Sequence, residues 1–258
     1  MISAVFDRLR NYYETLIGDL RYQGLQVLLW RAAAKLCSPL VKLDLQILFE
    51  FDLTAPIAPR PARVECAIAQ ATEAELDEIL DMQMRLPSAE AVAGFSDAEE
   101  LAYAQLCRMR AKGLENFLTA MRAGELCFVA RVEGAIAHSN WMRFHDCGPV
   151  DSRPVELDAD EVYTTDGYTA EHRRGQRLHE AVNAHMMRFA QSRGCRRAYT
   201  ITDLTKAGSR RGVRRVGWRE RGWILYITPR GLRRTWLLRL HGDLEPMFRQ
   251  ARALSASE

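Results

Sequence analysis

Glu161-Val-Tyr-Thr-Thr-Asp-Gly-Tyr-Thr169 is followed directly by Ala170-Glu-His-Arg173 and Arg174-Gly175-Gln-Arg-Leu178. The first stretch is rich in β-branched and aromatic residues and reads as a strand. From Leu178 the apolar residues Val182, Met186 and Phe189 recur at the spacing of one helix face, and Gly194 marks the stop. A second strand reads over Arg197–Thr202, then a short basic helix, Val216-Gly217-Trp218, and a strand over Gly222–Ile227. A turn rich in glycine and arginine thus opens a helix. The first N–H groups of a helix lack intrahelical partners, and the macrodipole adds partial positive charge there. Such a start suits a phosphate.

Outward from this segment the chain reads as mixed. Residues 1–36 carry apolar residues at helical spacing, with Gly18 and Gly24 as weak points. Val41–Leu53 alternates like a strand, and three prolines within residues 54–63 make an extended linker. A strand is expected at Val64–Ala69. Thr72 and Glu75 have capping-box spacing ahead of helical segments that reach Met121, broken near Pro87 and Gly94. Leu126–Val132 and Ala135–Phe144 read as a hairpin turning at Glu133-Gly134. Asp146–Asp160 reads as a loop, and Leu232–Leu240 with Leu244–Leu254 as a basic, amphipathic, helical tail. The order predicts an α/β fold of the α+β type, a central twisted mixed sheet flanked by helices. The expected division is a helix-plus-strand extension (1–53), the linker (54–63), the α/β domain (64–228) and the tail (229–258).

The bulk properties exclude several classes. Six cysteines are scattered without a CxxC or Cys/His cluster, which argues against a zinc site and a disulfide framework. No leader with an apolar core and no uncharged apolar stretch of about 20 residues is present, so a cytoplasmic location is expected. Of 36 basic residues only four are lysine. Arginine favours bidentate phosphate contact, although a GC-rich genome gives the same bias.

The segment 161–227 resembles the acyl-CoA-binding half of the GNAT N-acyltransferases. The family's R-x-x-G-x-G/A turn, often R-G-x-G, sets on Arg174-Gly175-Gln176-Arg177. Its N-x-x-S-x-x-L-Y-x-K-x-G-F maps on Lys206–Trp218, with Ser209 as the serine and Gly217 as the glycine. Resemblance covers roughly residues 64–228. Asp166-Gly-Tyr-Thr169 ahead of Arg174-Gly175, with an N-terminal helix, strand and Pro-rich link, is similar to members found with bacterial polysaccharide biosynthesis. There are departures. Arg177 replaces the second glycine and is expected to crowd the pyrophosphate unless it swings out. Val213 stands where a tyrosine often protonates the leaving thiolate, and His179 stands at the last small position.

The resemblance implies transfer of an acyl group from acetyl-CoA or another acyl-CoA to the amine of a small molecule or amino sugar, without a metal. It implies a cofactor site of Tyr168, Thr169, Arg174, Gly175, Gln176, Arg177 and Ser209. The amides of Tyr168 and Thr169 would serve the pantetheine or the thioester carbonyl. Asp166 is the candidate base, ahead of Glu161, which is read as a solvated charge. Tyr226, with Tyr199, is the candidate acid. His138 and Asn140 share one strand face and are candidates to line an acceptor pocket, with Trp141 opposite. The dense arginines of 196–221 read either as an electrostatic funnel for coenzyme A or as a solvated face. Nucleic acid is disfavoured because no binding signature accompanies them. Helix Leu20–Leu36 is read as packing on its own domain or a partner subunit, as in a homodimer, with a membrane surface as the alternative. The competing readings are a GNAT-like binding protein, another acyl donor, and aminoacyl-tRNA as donor, for which the chain is short.

Overall fold

The computed structural model describes residues 25–84, 96–150, 153–231 and 235–242. In chain order the elements are α1 (Leu25–Cys37), β1 (Val41–Asp52), β2 (Ala67–Gln70), α2 (Leu76–Met84) and α3 (Asp97–Arg122). They continue with β3 (Leu126–Val132), β4 (Ala135–Arg143), β5 (Asp146–Val150), β6 (Arg153–Glu156) and β7 (Glu161–Thr169). The remainder are α4 (Leu178–Ser192), β8 (Arg197–Asp203), α5 (Ala207–Val216), β9 (Arg219–Pro229) and β10 (Trp236–Gly242). The fold is mixed α/β. Two compact units divide it, one of residues 51–147 and 157–199, the other of the described parts of 1–50, 148–156 and 200–258.

In the first unit β2, β3, β4 and β7 form an antiparallel ladder, with β4 between β3 and β7. The β3–β4 hairpin closes at Glu133 and Gly134, both at positive φ (54° and 85°), the geometry that fits the twist of paired strands. One sheet face packs on α2 and α3 through Leu76, Ile79, Cys127, Val129, Ile136 and Trp141. The Trp141 and Phe117 rings lie 4.7 Å apart there. The other face takes α4, whose Leu178, Val182 and Met186 are buried, while Phe189 meets Phe128 edge-on at 5.1 Å. Each such side chain contributes about 2 kcal/mol on burial. At Thr72 the capping box with Glu75 forms as expected, and residues 73–75 make a single 3-10 turn before α2. Pro87 and Gly94, expected to break the helices, lie outside the described residues, as do residues 1–24 with Gly18 and Gly24.

β7, α4 and β8 make a crossover. The amides of Arg196 and Arg197 both donate to the Asp160 carbonyl (2.7 and 3.2 Å), so the two strands start side by side and run the same way. Glu161, at the head of β7, is 2% exposed. Its carboxylate accepts the Arg197 guanidinium at 2.9 Å and the Tyr199 hydroxyl at 3.2 Å. The expected solvated charge is therefore a buried one, held there because three donors satisfy it, the third being the Asp158 amide at 3.1 Å.

In the second unit β9 pairs antiparallel with β1 on one side and β10 on the other, with Val41 opposite Pro229 and Trp236 opposite Ile227. The amide of Leu204, just past β8, donates to Leu45 of β1 at 2.9 Å. Three expectations are corrected. The tail over 236–242 is a strand: Gly231 at φ 86° reverses the chain, and Trp236, Leu238 and Leu240 alternate along β10 on the exposed side. Residues 244–254 lie outside the described residues. Where a loop was expected, β5 and β6 form a two-stranded sheet of their own. The strand expected from Val64 begins at Ala67 as β2, after Arg63 has bonded to the turn at Gln176. No helix of the described residues is long and apolar enough to cross a membrane.

Replacing Arg197 by alanine strands the Glu161 carboxylate. Arg197→Ala should lower the urea unfolding free energy by about 3 kcal/mol, whereas the exposed Arg60→Ala should leave it within about 0.5 kcal/mol.

Candidate functional site

β4 and β7 pair His138 with Thr169 and Ser139 with Tyr168, then Trp141 with Thr165 and Met142 with Thr164. Between these registers β4 offers Asn140 alone, while β7 offers Asp166 and Gly167. The extra residue makes a β-bulge, a feature that re-aims side chains beside sites. Asp166 absorbs it at φ 52°, a left-handed conformation that aspartate tolerates better than most residues, and its side chain is exposed. Gly167 lies against the layer below. A Cβ there would stand 3.4 Å from Cε1 of His179 and 3.5 Å from the Asn140 amide group.

Beneath the bulge sits a buried polar cluster. His138 is 0% exposed and Asn140 2%. Nδ1 of His138 shares a 2.8 Å hydrogen bond with Oγ1 of Thr169. The rings of His138 and His179, the second residue of α4, meet edge to face with centroids 5.3 Å apart. Nε2 of each is buried without a hydrogen-bond partner. Burial pulls the His138 pKa well below its ordinary value, aided by His179 and opposed by a bond to the Tyr168 backbone. Burial also lowers His179, with Glu180 opposing. Both imidazoles are neutral near pH 7. His138 and Asn140 thus share a face as expected, but they are covered by α4 and the bulge and are not open to solvent.

The turn into α4 presents the anion site. Gly175 has φ 81° and a Cβ there would meet nothing within 4 Å. Arg177 is the residue before the helix, at φ 61°, ψ 23°, and no side chain caps the helix start. Arg63 fastens the turn from behind, its amide donating to the Gln176 carbonyl at 2.8 Å and its guanidinium to Gly175 at 3.4 Å. The Gln176 Oε1 is buried and unbonded. The Arg177 side chain, 46% exposed, lies 3.8 Å from Glu180, and the Arg174 side chain, 58% exposed, lies 3.7 Å from Glu171. Arg177 has therefore swung outward, along the first turn of α4. The left-handed backbone it adopts is one a glycine takes without cost.

Ser209 and Tyr226 belong to the other unit. Ser209 is exposed on α5, and Tyr226 is half-buried on β9, opposite Asp44 and Leu237. Val213, at the tyrosine position of the family pattern, is 3% exposed and supplies no hydroxyl. Tyr199 is fully buried with its hydroxyl on Glu161, a packing residue. Several arginines of 196–221 are engaged internally: Arg197 with Glu161, Arg214 with Glu220 at 2.6 Å, and Arg221 with Glu50 at 2.5 Å. Sequence reading passed over Glu125. It pairs with Arg143 at 2.9 Å, and burial raises its carboxyl pKa against the pull of Arg143, with Asp146 and Asp166 adding to the rise. Nothing in the sequence marked it, because Arg143 is 18 residues away and its partners meet only across the sheet.

No family model and no curated protein matches the sequence. Among solved structures, a functionally unknown conserved protein from Staphylococcus epidermidis is similar at TM-score 0.50 and 9% identity, over 78% of this chain and 67% of that one. An acetyltransferase of the GNAT family from Colwellia psychrerythraea is similar at TM-score 0.48 and 12% identity, over 76% of this chain and 60% of its own. A predicted acetyltransferase with acetyl-CoA from Clostridium acetobutylicum is similar at 0.41 and 14% identity, over 60% of this chain and 90% of its own. Solved neighbours include GNAT-family acetyltransferases. At such identities the likeness is one of fold, and the chemistry has to come from this chain's own residues.

Urea titrations should separate the two left-handed residues. Arg177→Gly should change stability by less than about 1 kcal/mol, relief of the backbone offsetting the freer unfolded chain. Asp166→Val should cost about 2 kcal/mol, since a β-branched residue resists that conformation.

Proposed function

We propose that the protein is an acyl-CoA-dependent N-acyltransferase that acylates the amine of a small molecule or amino sugar. One observation carries the reading. The chain leaves a bulged strand through a glycine–arginine turn into a helix start that no side chain caps, with open space at Gly175 and two solvent-facing guanidiniums. First-turn amides, partial positive charge and two arginines suit a pyrophosphate. Coenzyme A supplies that group, and its thioester supplies the acyl carbon.

In this reading Arg174 and the amides from Gly175 onward hold the pyrophosphate, with Arg177 free to reach it from outside. Backbone amides of Tyr168 and Thr169 receive the pantetheine or the thioester carbonyl, where negative charge develops as the amine adds. Asp166 takes the ammonium proton, and its exposure in the bulge leaves it open to an incoming amine. Tyr226 is the candidate to return a proton to the thiolate. A cytoplasmic setting, a role in bacterial polysaccharide biosynthesis and a homodimeric state belong to the same proposal. A second reading, binding of acyl-CoA without turnover, is favoured by the buried Val213 at the usual position of the acid.

Calorimetry tests the site first. Acetyl-CoA should bind with at least about micromolar affinity, and an absence of saturable heat removes the enzyme reading. Arg174→Ala should weaken that binding about tenfold or more, the worth of a charge-assisted contact, while Arg60→Ala should not. Asp166→Asn should keep coenzyme affinity and lose most turnover across a panel of amines. Undiminished rates would reject Asp166 as the base, and no turnover by the parent protein would favour the second reading.

A further inference from the structure

The buried His138 and the half-buried His179 are not accounted for by the transferase chemistry. Two imidazoles lie in contact between β4 and the first turn of α4, and each keeps a buried nitrogen without a partner. An unpaired polar atom in the interior is unfavourable, and an apolar pair would fill the same volume without that cost. Their position gives a reason. His138 is bonded to Thr169, where β7 rejoins the ladder, and His179 with Asn140 forms the floor on which Gly167 rests. His179 itself belongs to the turn of α4 that comes after Arg177. The pair therefore touches both flanks of the segment 166–178: the bulge at one end, the helix start at the other.

Resting on the transferase reading, we propose that His138 and His179 are positioning residues. Together they hold the β7 bulge and the first turn of α4 in the geometry that receives the acyl thioester, acting through the backbone and not on the reacting atoms. Asn140 and Thr169 belong to the same device. Because the pair fits only when both rings are uncharged, the device releases on acidification. A second charge beside the first, in a layer of low polarity, would push the rings apart and lift Gly167 and the helix start together.

The charged surroundings agree with this. On α4 the nearest groups are Glu180, which favours the charged form of His179, and Arg177, which is paired with that glutamate. Further along, His185 packs on Phe128 and feels Arg188. In the bulge, Asp166 acts on Glu125 and Cys127. β3 sets only Ala130 opposite His138 and Phe128 opposite Asn140. No carboxylate bonds to either ring among the described residues, and the bond to the Tyr168 backbone only partly offsets the burial of a charge on His138. With both values depressed in the folded state, the loosened state binds protons more readily. The stabilisation is complete above the ordinary histidine range, near about pH 6.5. It is lost as pH falls below that range through the folded values.

Hydrogen exchange on the full-length chain tests this without relying on activity. Between about pH 8 and about pH 5.5, after correction for intrinsic rates, protection over 166–180 should fall about tenfold more than protection over β3. Acetyl-CoA affinity should fall in parallel. In the double variant His138→Asn/His179→Gln, which cannot titrate there, both responses should shrink to within about twofold. His138→Asn, which keeps a polar atom near Oγ1 of Thr169, should retain the acetyl-CoA affinity at pH 8 that His138→Leu loses. Equal protection of 166–180 at the two pH values in the parent protein overturns the proposal. So does a double variant that keeps the parent's pH response. Acetyl-CoA that fails to bind at about pH 8 overturns the transferase reading instead, a result distinct from either exchange outcome.

Discussion

β7 carries one residue more than β4 can pair between Ser139 and Trp141, and the described site is arranged around that mismatch. In a pleated strand a single inserted residue reverses the facing of every later one unless the backbone absorbs it. Asp166 absorbs it with a left-handed turn, so Tyr168 and Thr169 rejoin the ladder in the register that puts Thr169 beside His138. Without it Tyr168 and Thr169 would exchange faces, and Thr169 would not stand beside His138. The bulge thus decides how β7 meets the histidine cluster, through Thr169 and Gly167, and what is offered outward, the Asp166 carboxylate.

Local costs gather in the same few residues. Asp166 and Arg177 adopt conformations that disfavour a side chain by about 1 kcal/mol each. Two imidazole nitrogens and the Gln176 oxygen lie buried and unbonded. Such costs persist where the surroundings over-determine the geometry, and they concentrate at functional sites. Here the surroundings are well defined. Trp141 and Phe117 lock one face of the sheet, and the Leu178–Val182–Met186 stripe locks the other. Arg63 ties the linker to the turn itself.

Much of this could be read from the residues. Periodicity placed α4 and its core stripe, and Glu133-Gly134 placed the hairpin. Thr72 with Glu75 placed the cap. These signals are local, because the partners lie within a few residues of one another. What escaped depends on partners distant in sequence. Glu161 looked solvated because Arg197 and Tyr199 lie more than thirty residues on. Asp166-Gly167 read as the interior of an ordinary strand over 161–169, since a bulge exists only relative to β4. β10 reads as a helix from its residues because its leucine-rich run fits either period, and pairing with β9 decides between them. The histidines were legible as strand and helix residues, but not as neighbours.

The ladder of β1 with β9 has a bearing on how the chain reaches this state. Val41 faces Pro229, and Glu50 faces Arg219. A strand finished early in synthesis must wait for one made near the end, and closing so long an interval is entropically slow. Residues 51–147 and 157–199 need no such delay and can gather while the ribosome is still at work. Until β8 and then β9 emerge, β1 is an unpaired, largely apolar ribbon. The stretch Ile47–Phe51 is then open to pairing with a neighbouring nascent chain, which makes it the part of the molecule most in need of a chaperone.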